Sequence, residues 1–129
     1  MRFNNPPTLP TPVGYSHVVE VPRGRTIFIS GQVALDSAGN LIGRGDFVAQ
    51  TEQVFKNLQA ALESVGAGCK DLAKLTIFVV DISQVPALRE IRNRYVNSAN
   101  PPASSLVQVK GLVREEFLVE IEAVAVVPE

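Results

Sequence analysis

The apolar positions of this chain change period along its length, and the changes mark out its elements. From Phe117 to Val127 they alternate. Phe117, Val119, Ile121, Ala123 and Ala125 share one face; Leu118, Glu120, Glu122, Val124 and Val126 share the other. The same period predicts a strand over Ala73–Val80, with Leu75, Ile77 and Val79 on one side and Lys74, Thr76, Phe78 and Val80 on the other. Both of its faces read as covered, as in a central strand. A further strand is expected over Ser104–Lys110, joined to the last one by a short charged loop around Gly111. Near the start, Ser16–Val21 and Thr26–Val33 read as two short strands around the turn Pro22-Arg23-Gly24-Arg25, which has the residues a hairpin needs. Gly31 interrupts the second, as glycine does at a bulge or a close approach.

Between these runs the period lengthens. Phe47, Thr51, Val54, Phe55, Leu58, Ala61, Leu62 and Val65 recur at three- and four-residue steps. They predict a long amphipathic helix of about five to six turns, with Asp46 as N-cap and Gly66 as the residue that stops it. A shorter helix starts near Pro86 and runs to about Asn97, with Glu90 and Arg94 spaced to pair. Its apolar stripe is Leu88, Ile91 and Tyr95, and Arg92 falls inside that stripe.

The order is strand, strand, helix, strand, helix, strand, strand. Two single-striped helices call for an α+β architecture, a mixed sheet with both helices on one face. The other face, with Phe78, Val80 and Val124, is then uncovered in one chain and predicts an interface, met most simply by self-association. A length of 129 residues fits one domain, taken as 1–129, in which residues 1–13 form a proline-rich extended arm.

Composition removes several function classes. The net charge of −1, with no basic stripe, gives no electrostatic footprint for nucleic acid. One cysteine and one histidine exclude an intrachain disulfide and offer no conventional zinc site, so neither metal nor cofactor is expected. The glycines between 39 and 45 lack a phosphate-loop pattern. No apolar run approaches the ~20 residues of a membrane span, and a cytoplasmic protein is the expectation.

The residues that could carry chemistry are few. Glu120 and Glu122 put two carboxylates on an otherwise apolar strand face. That face is either the wet edge of a core or a cleft wall where one carboxylate works. Arg92 either snorkels outward or reaches a buried or inter-subunit anion. His17 reads first as a packed or surface histidine, and Cys69 has no His or acid spaced to activate it. Arg23 and Arg25 read as solvated turn residues.

Several of these segments, taken together, resemble the RidA/YjgF family of small homotrimeric proteins, known for imine and enamine deaminases. The matching pieces are Gly14-Tyr15, Phe28-Ile29-Ser30-Gly31-Gln32-Val33, Gln50 through Asn57-Leu58, and Leu62 to Gly66. They continue through Lys74–Val79, Tyr95, Pro102-Ala103, and Val119-Glu120-Ile121-Glu122-Ala123. The resemblance implies a chorismate-mutase-like fold and a homotrimer whose sheets pack into a central β-barrel, with clefts between subunits. It further implies that Glu120 holds or activates the attacking water, while Ser30 and Tyr15 line the cleft. Glu122 becomes a structural or interface residue.

One departure stands out. The family's substrate-binding arginine follows Pro-Ala, and here that position is Ser104, in Pro102-Ala103-Ser104-Ser105. A serine supplies neither a cation nor a bidentate fork. Loss of a charge-assisted pair with a substrate carboxylate costs ~2–5 kcal/mol, about 30-fold or more. Two places on, where the family commonly has a cysteine or similar small residue, stands Leu106. In the short helix, Arg92 occupies the place of a cleft-facing family asparagine, so the expectation is that the cation has moved there. The function expected is binding of a small anionic or imine/carbonyl metabolite, with C–N hydrolysis of altered substrate range. The alternative is a metabolite-binding or regulatory trimer that has lost the chemistry.

Overall fold

The structure is a computed structural model that describes residues 1–128. Six strands and two α-helices carry the fold: β1 (Arg2–Asn4), β2 (Val18–Glu20), β3 (Arg25–Gln32), α1 (Phe47–Glu63), β4 (Leu72–Val79), α2 (Val85–Tyr95), β5 (Ala103–Gln108) and β6 (Val119–Val127). The main sheet has the order β3-β6-β4-β5. β6 runs antiparallel to both of its neighbours, and β4 and β5 are parallel across the α2 crossover. The α+β reading with a mixed sheet is therefore what the chain adopts.

One connection differs from the sequence expectation. The Pro22–Arg25 turn does not close a hairpin, because β2 pairs with β1 and β3 pairs with β6. The last two strands are not neighbours either, since β4 lies between β5 and β6. Turn chemistry marks where a chain reverses, not which strand it then pairs with.

Both helices lie on one face of the sheet. Val54, Phe55, Leu58 and Leu62 of α1 and Leu88 and Ile91 of α2 pack on Leu75, Ile77, Val79, Val119, Ile121, Ala123 and Ala125. The Asp46 carboxylate caps α1 by accepting from the Ala49 N–H at 3.0 Å. The helix spans 17 residues and is capped by Ser64; Gly66, at φ 74°, turns the chain two residues later. Val65, placed on the stripe by spacing, lies beyond the helix and is largely exposed. Arg94 pairs with Glu52 of α1, not with Glu90, because α2 packs beside α1 and brings that carboxylate within reach.

The opposite face of the sheet is open. Phe28 is 81% exposed there, and Lys74, Thr76, Phe78 and Val124 are half-buried. β4 is thus central by pairing but covered on one face only, contrary to the expectation of two covered faces. Lys74 Nζ donates to Ser105 Oγ at 3.0 Å across this face. A groove of about 310 Å³ runs along it, lined by Phe28, Ser30, Lys74, Thr76, Glu122 and Val124.

The N-terminal segment folds back on the body. β1 pairs with β2, so residues 5–17 form a closed loop between them. Its neck is held by the His17 N–H, which donates to Asn5 Oδ1 at 2.7 Å.

Gln50 joins α1 to the long connections. It is fully buried. Its amide donates to the carbonyls of Gly43 and Glu116 at 3.0 and 2.9 Å and accepts from the Leu118 N–H at 2.9 Å. Gln50→Leu leaves three backbone groups without partners. It is expected to lower the unfolding free energy by ~3 kcal/mol, measured by urea denaturation at fixed protein concentration. A loss below ~1 kcal/mol would show that the amide is dispensable.

Candidate functional site

The two-residue period of β6 sends Glu120 and Glu122 to the open face while their neighbours go into the core. Glu120 stands opposite Phe78 of β4, and Glu122 opposite Thr76. On the other side of β6 the register with β3 shifts between Ile29 and Gln32, at Ser30-Gly31. This is the irregularity that Gly31 announces. It has a steric purpose, because a Cβ on Gly31 would come within 2.1 Å of a Glu120 carboxylate oxygen. Only glycine leaves room for Glu120 to lie across β3. Ser30 is exposed beside it, on the groove that also meets Glu122.

A second group of residues gathers around the end of α2. Arg92, in its last turn, is only 5% exposed. Among the described residues no carboxylate forms an ion pair with it. Its Nε and Nη2 donate at 3.4 and 3.2 Å to Asn93 Oδ1. Burial, and then the nearby charge of Arg89, push the guanidinium pKa down from its ordinary value.

Gly14 lies against this guanidinium, and a Cβ there would sit 2.1 Å from Nη2. Gly14 also has φ 75°, so both sterics and backbone require glycine. Two residues on, Ser16 donates from its N–H to the Pro102 carbonyl at 3.2 Å and from Oγ to the Pro101 carbonyl at 2.6 Å. A bridge pairs Ser16 with Ala103. Tyr15 is held between these contacts and packs edge-on to His17 at 5.3 Å between ring centroids. The His17 ring in turn meets the Pro10 carbonyl through Nε2 at 2.6 Å.

Ser104 and Leu106 are level with Leu75 and Ile77 of the parallel strand β4 and so face the helix side. Leu106 packs against the core. The six site residues expected from sequence therefore form two groups. Glu120 and Ser30 project from the open face. Tyr15, Arg92, Ser104 and Leu106 belong to the helix side and the β5 edge. One chain does not bring the two groups into one pocket.

The remaining titratable residues read as structure. Burial, and then the charge of Glu63, push the Cys69 thiol up, so it is a poor nucleophile. Burial and the Glu52 carboxylate push the Tyr95 phenol up, keeping it a donor to Glu52 Oε2 at 3.2 Å. Arg25 is exposed but not idle: its Nη2 donates to the Val65 carbonyl past the end of α1 at 2.8 Å. Among the described residues no cluster of three or more His, Cys, Asp or Glu could hold a metal ion. Among the described residues no helix is long and apolar enough to cross a membrane.

Sequence reasoning passed over Asn93 and the role of His17. Asn93 looks like a solvated helix residue, and the loop closure that gives His17 its partners is invisible in spacing. The Gly14 contact generates a test. Gly14→Ala adds strain of about 1–3 kcal/mol from the left-handed backbone and a clash with Arg92. We expect a lower melting temperature together with greater protease access at Tyr15. A variant as stable as the parent would mean the contact is loose.

Comparison with known proteins fits this arrangement. The family model described as Endoribonuclease L-PSP matches residues 8–127. The chain is 41% identical over 112 residues to the protein DfrA of Myxococcus xanthus, covering 87% of this chain and 84% of that one. It is 32% identical over 127 residues to a 2-iminobutanoate/2-iminopropanoate deaminase of Dermatophagoides farinae, covering 98% of this chain and 96% of the other. Among solved structures, the Rid-family protein YyfB of Yersinia pestis superposes with a TM-score of 0.91 at 38% identity, over 98% of each chain. The fold and these matches agree: the chain belongs to the Endoribonuclease L-PSP family, the YjgF/RidA group.

Proposed function

We propose that this protein hydrolyses the C=N bond of a small imine, or of its enamine tautomer, in clefts formed between copies of the chain. The observation that carries this reading is the Glu120 carboxylate seated over Gly31 beside Ser30, in a chain 32% and 36% identical to two named imine deaminases. Water held by Glu120 adds to the imine carbon and gives its proton to the carboxylate. The carboxylate returns that proton to the nitrogen, giving the carbinolamine; the hydroxyl proton then passes to the amine as the C–N bond breaks, so ammonia leaves and a carbonyl product remains. The balance closes with water alone.

Ser30 positions the substrate from the Glu120 side of the cleft, and Tyr15, Arg92, Ser104 and Leu106 form its other wall. Those two sets lie on opposite faces of one sheet, so a second copy has to supply one of them. The open face, with Phe28 81% exposed, gives such copies a surface to bury. A homotrimer acting on a small metabolite in the cytoplasm is the assembly that fits. A net charge of −1 favours a small metabolite over RNA as the partner.

The test is keto-acid formation from enzymatically generated 2-iminopropanoate. Wild type is expected to be active, and Glu120→Ala to lose about 100-fold or more. Gly31→Ala is expected to fold but to lose activity similarly, because its Cβ displaces the carboxylate. Ser104→Arg is expected to widen activity toward carboxylate-bearing imines. Inactivity of both wild type and Ser104→Arg would replace this reading with a metabolite-binding protein that lacks the chemistry, which the absence of an arginine at position 104 favours as second choice.

A further inference from the structure

The Arg92 guanidinium is charged, almost fully buried and without a carboxylate partner among the described residues. Such a group is costly unless something compensates it. Part of the compensation is visible: Arg92 lies in the last turn of α2, where free carbonyls favour a cation. Asn93 supplies one neutral acceptor.

The hydrogen bonds show which edge of the guanidinium is engaged. A guanidinium has five N–H donors on two usable edges. Asn93 takes the side edge, formed by Nε and Nη2. The end edge, formed by Nη1 and the second Nη2 hydrogen, makes no hydrogen bond among the described residues. It is not sealed off, because no water-inaccessible side-chain nitrogen or oxygen lacks a partner among the described residues. Nη1 therefore keeps an opening to the outside. Beside it lies Gly14, whose lack of a Cβ lets Nη2 pack against the backbone of the N-terminal loop. The Gly14–Ser16 segment is fixed on the far side by Ser16 on Pro101 and Pro102, and by the His17 clasp on Asn5 and Pro10.

We propose that the end edge of Arg92, walled by the Gly14–Tyr15 turn and the start of β5, is a binding site for a single planar monocarboxylate. This deepens the reading given above, on which it rests for the identity of the ligand as substrate or product. A carboxylate spans two parallel N–H donors in one plane, which is what the free edge offers. A phosphate dianion is a poorer match. The nearby helix end presents carbonyls, and one guanidinium leaves a dianion with uncompensated negative charge. His17 is a positioning residue here, since it holds the loop that walls the site and touches Tyr15 rather than the ligand.

Butanoate, methyl butanoate and inorganic phosphate, each titrated into the ¹⁵N-labelled wild-type protein, test this. Butanoate is expected to shift the Gly14 amide and the Arg92 Nε–H resonances saturably, and the ester and phosphate to leave them in place. Arg92→Gln is expected to weaken butanoate binding by about 30-fold or more, and Arg92→Lys to recover only part of it. Equal binding of acid and ester, phosphate binding as tight as butanoate, or unchanged binding in a folded Arg92→Gln protein would each overturn the proposal. The acid–ester comparison needs no variant and decides the matter even if Arg92→Gln fails to fold. Glu120→Gln separates the two readings: it is expected to keep butanoate binding while losing hydrolysis. Binding at Arg92 without any hydrolysis would sink only the enzymatic reading. Hydrolysis with an unchanged KM in Arg92→Gln would sink only the anchor.

Discussion

Everything in this molecule depends on the position of β6. It is hydrogen-bonded on both sides, to β3 and β4, and its side chains alternate between two different environments. Val119, Ile121, Ala123 and Ala125 go under the helices and are at most 4% exposed. The residues between them cannot follow, because the strand period is two. Glu120 and Glu122 are thereby delivered to the open face as a consequence of core packing. A slip of one residue would bury both carboxylates and expose the core, so the register that stabilises the fold also fixes the chemistry.

Two glycines convert that framework into site geometry. Gly31 lets the Glu120 carboxylate lie across β3, and Gly14 lets the Arg92 guanidinium lie against the N-terminal loop. In each case a charged group is placed by what its neighbour lacks. The two charged groups are nevertheless kept apart by the sheet itself. That separation is why the proposed cleft draws on more than one copy of the chain.

Much of this was legible in the sequence. The alternation in β4 and β6, the stripe of α1, the Asp46 cap and the break at Gly31 are local properties, and local physics sets them. The presence of Arg92 on the inward stripe of α2 was legible for the same reason. Strand neighbours were not: the Pro22–Arg25 turn reads as a hairpin, yet β2 finds β1 and β3 finds β6. Pairing over a long separation is decided by which apolar faces the helices can cover together. Arg94 shows the same limit on a smaller scale, since Glu52 of the neighbouring helix wins over Glu90 of its own. The His17 clasp depends on an N-terminal loop closing on itself, and no spacing rule encodes that closure. The two-group division of the site also needed the sheet register.

The central claim is that one catalytic cleft joins Glu120 of one copy to Arg92 of another. Subunit mixing tests it most directly. Glu120→Ala chains, which lack the water-holding carboxylate, and Arg92→Gln chains, whose substrate binding is weakened, are unfolded, combined in equal amounts, refolded and assayed for imine hydrolysis at substrate concentrations where each alone shows little activity. If the two residues act from different copies, random reassembly restores about a quarter of the wild-type rate, because that fraction of clefts receives both intact groups. No recovery in properly reassembled mixtures would contradict the account and place both residues within one subunit's site.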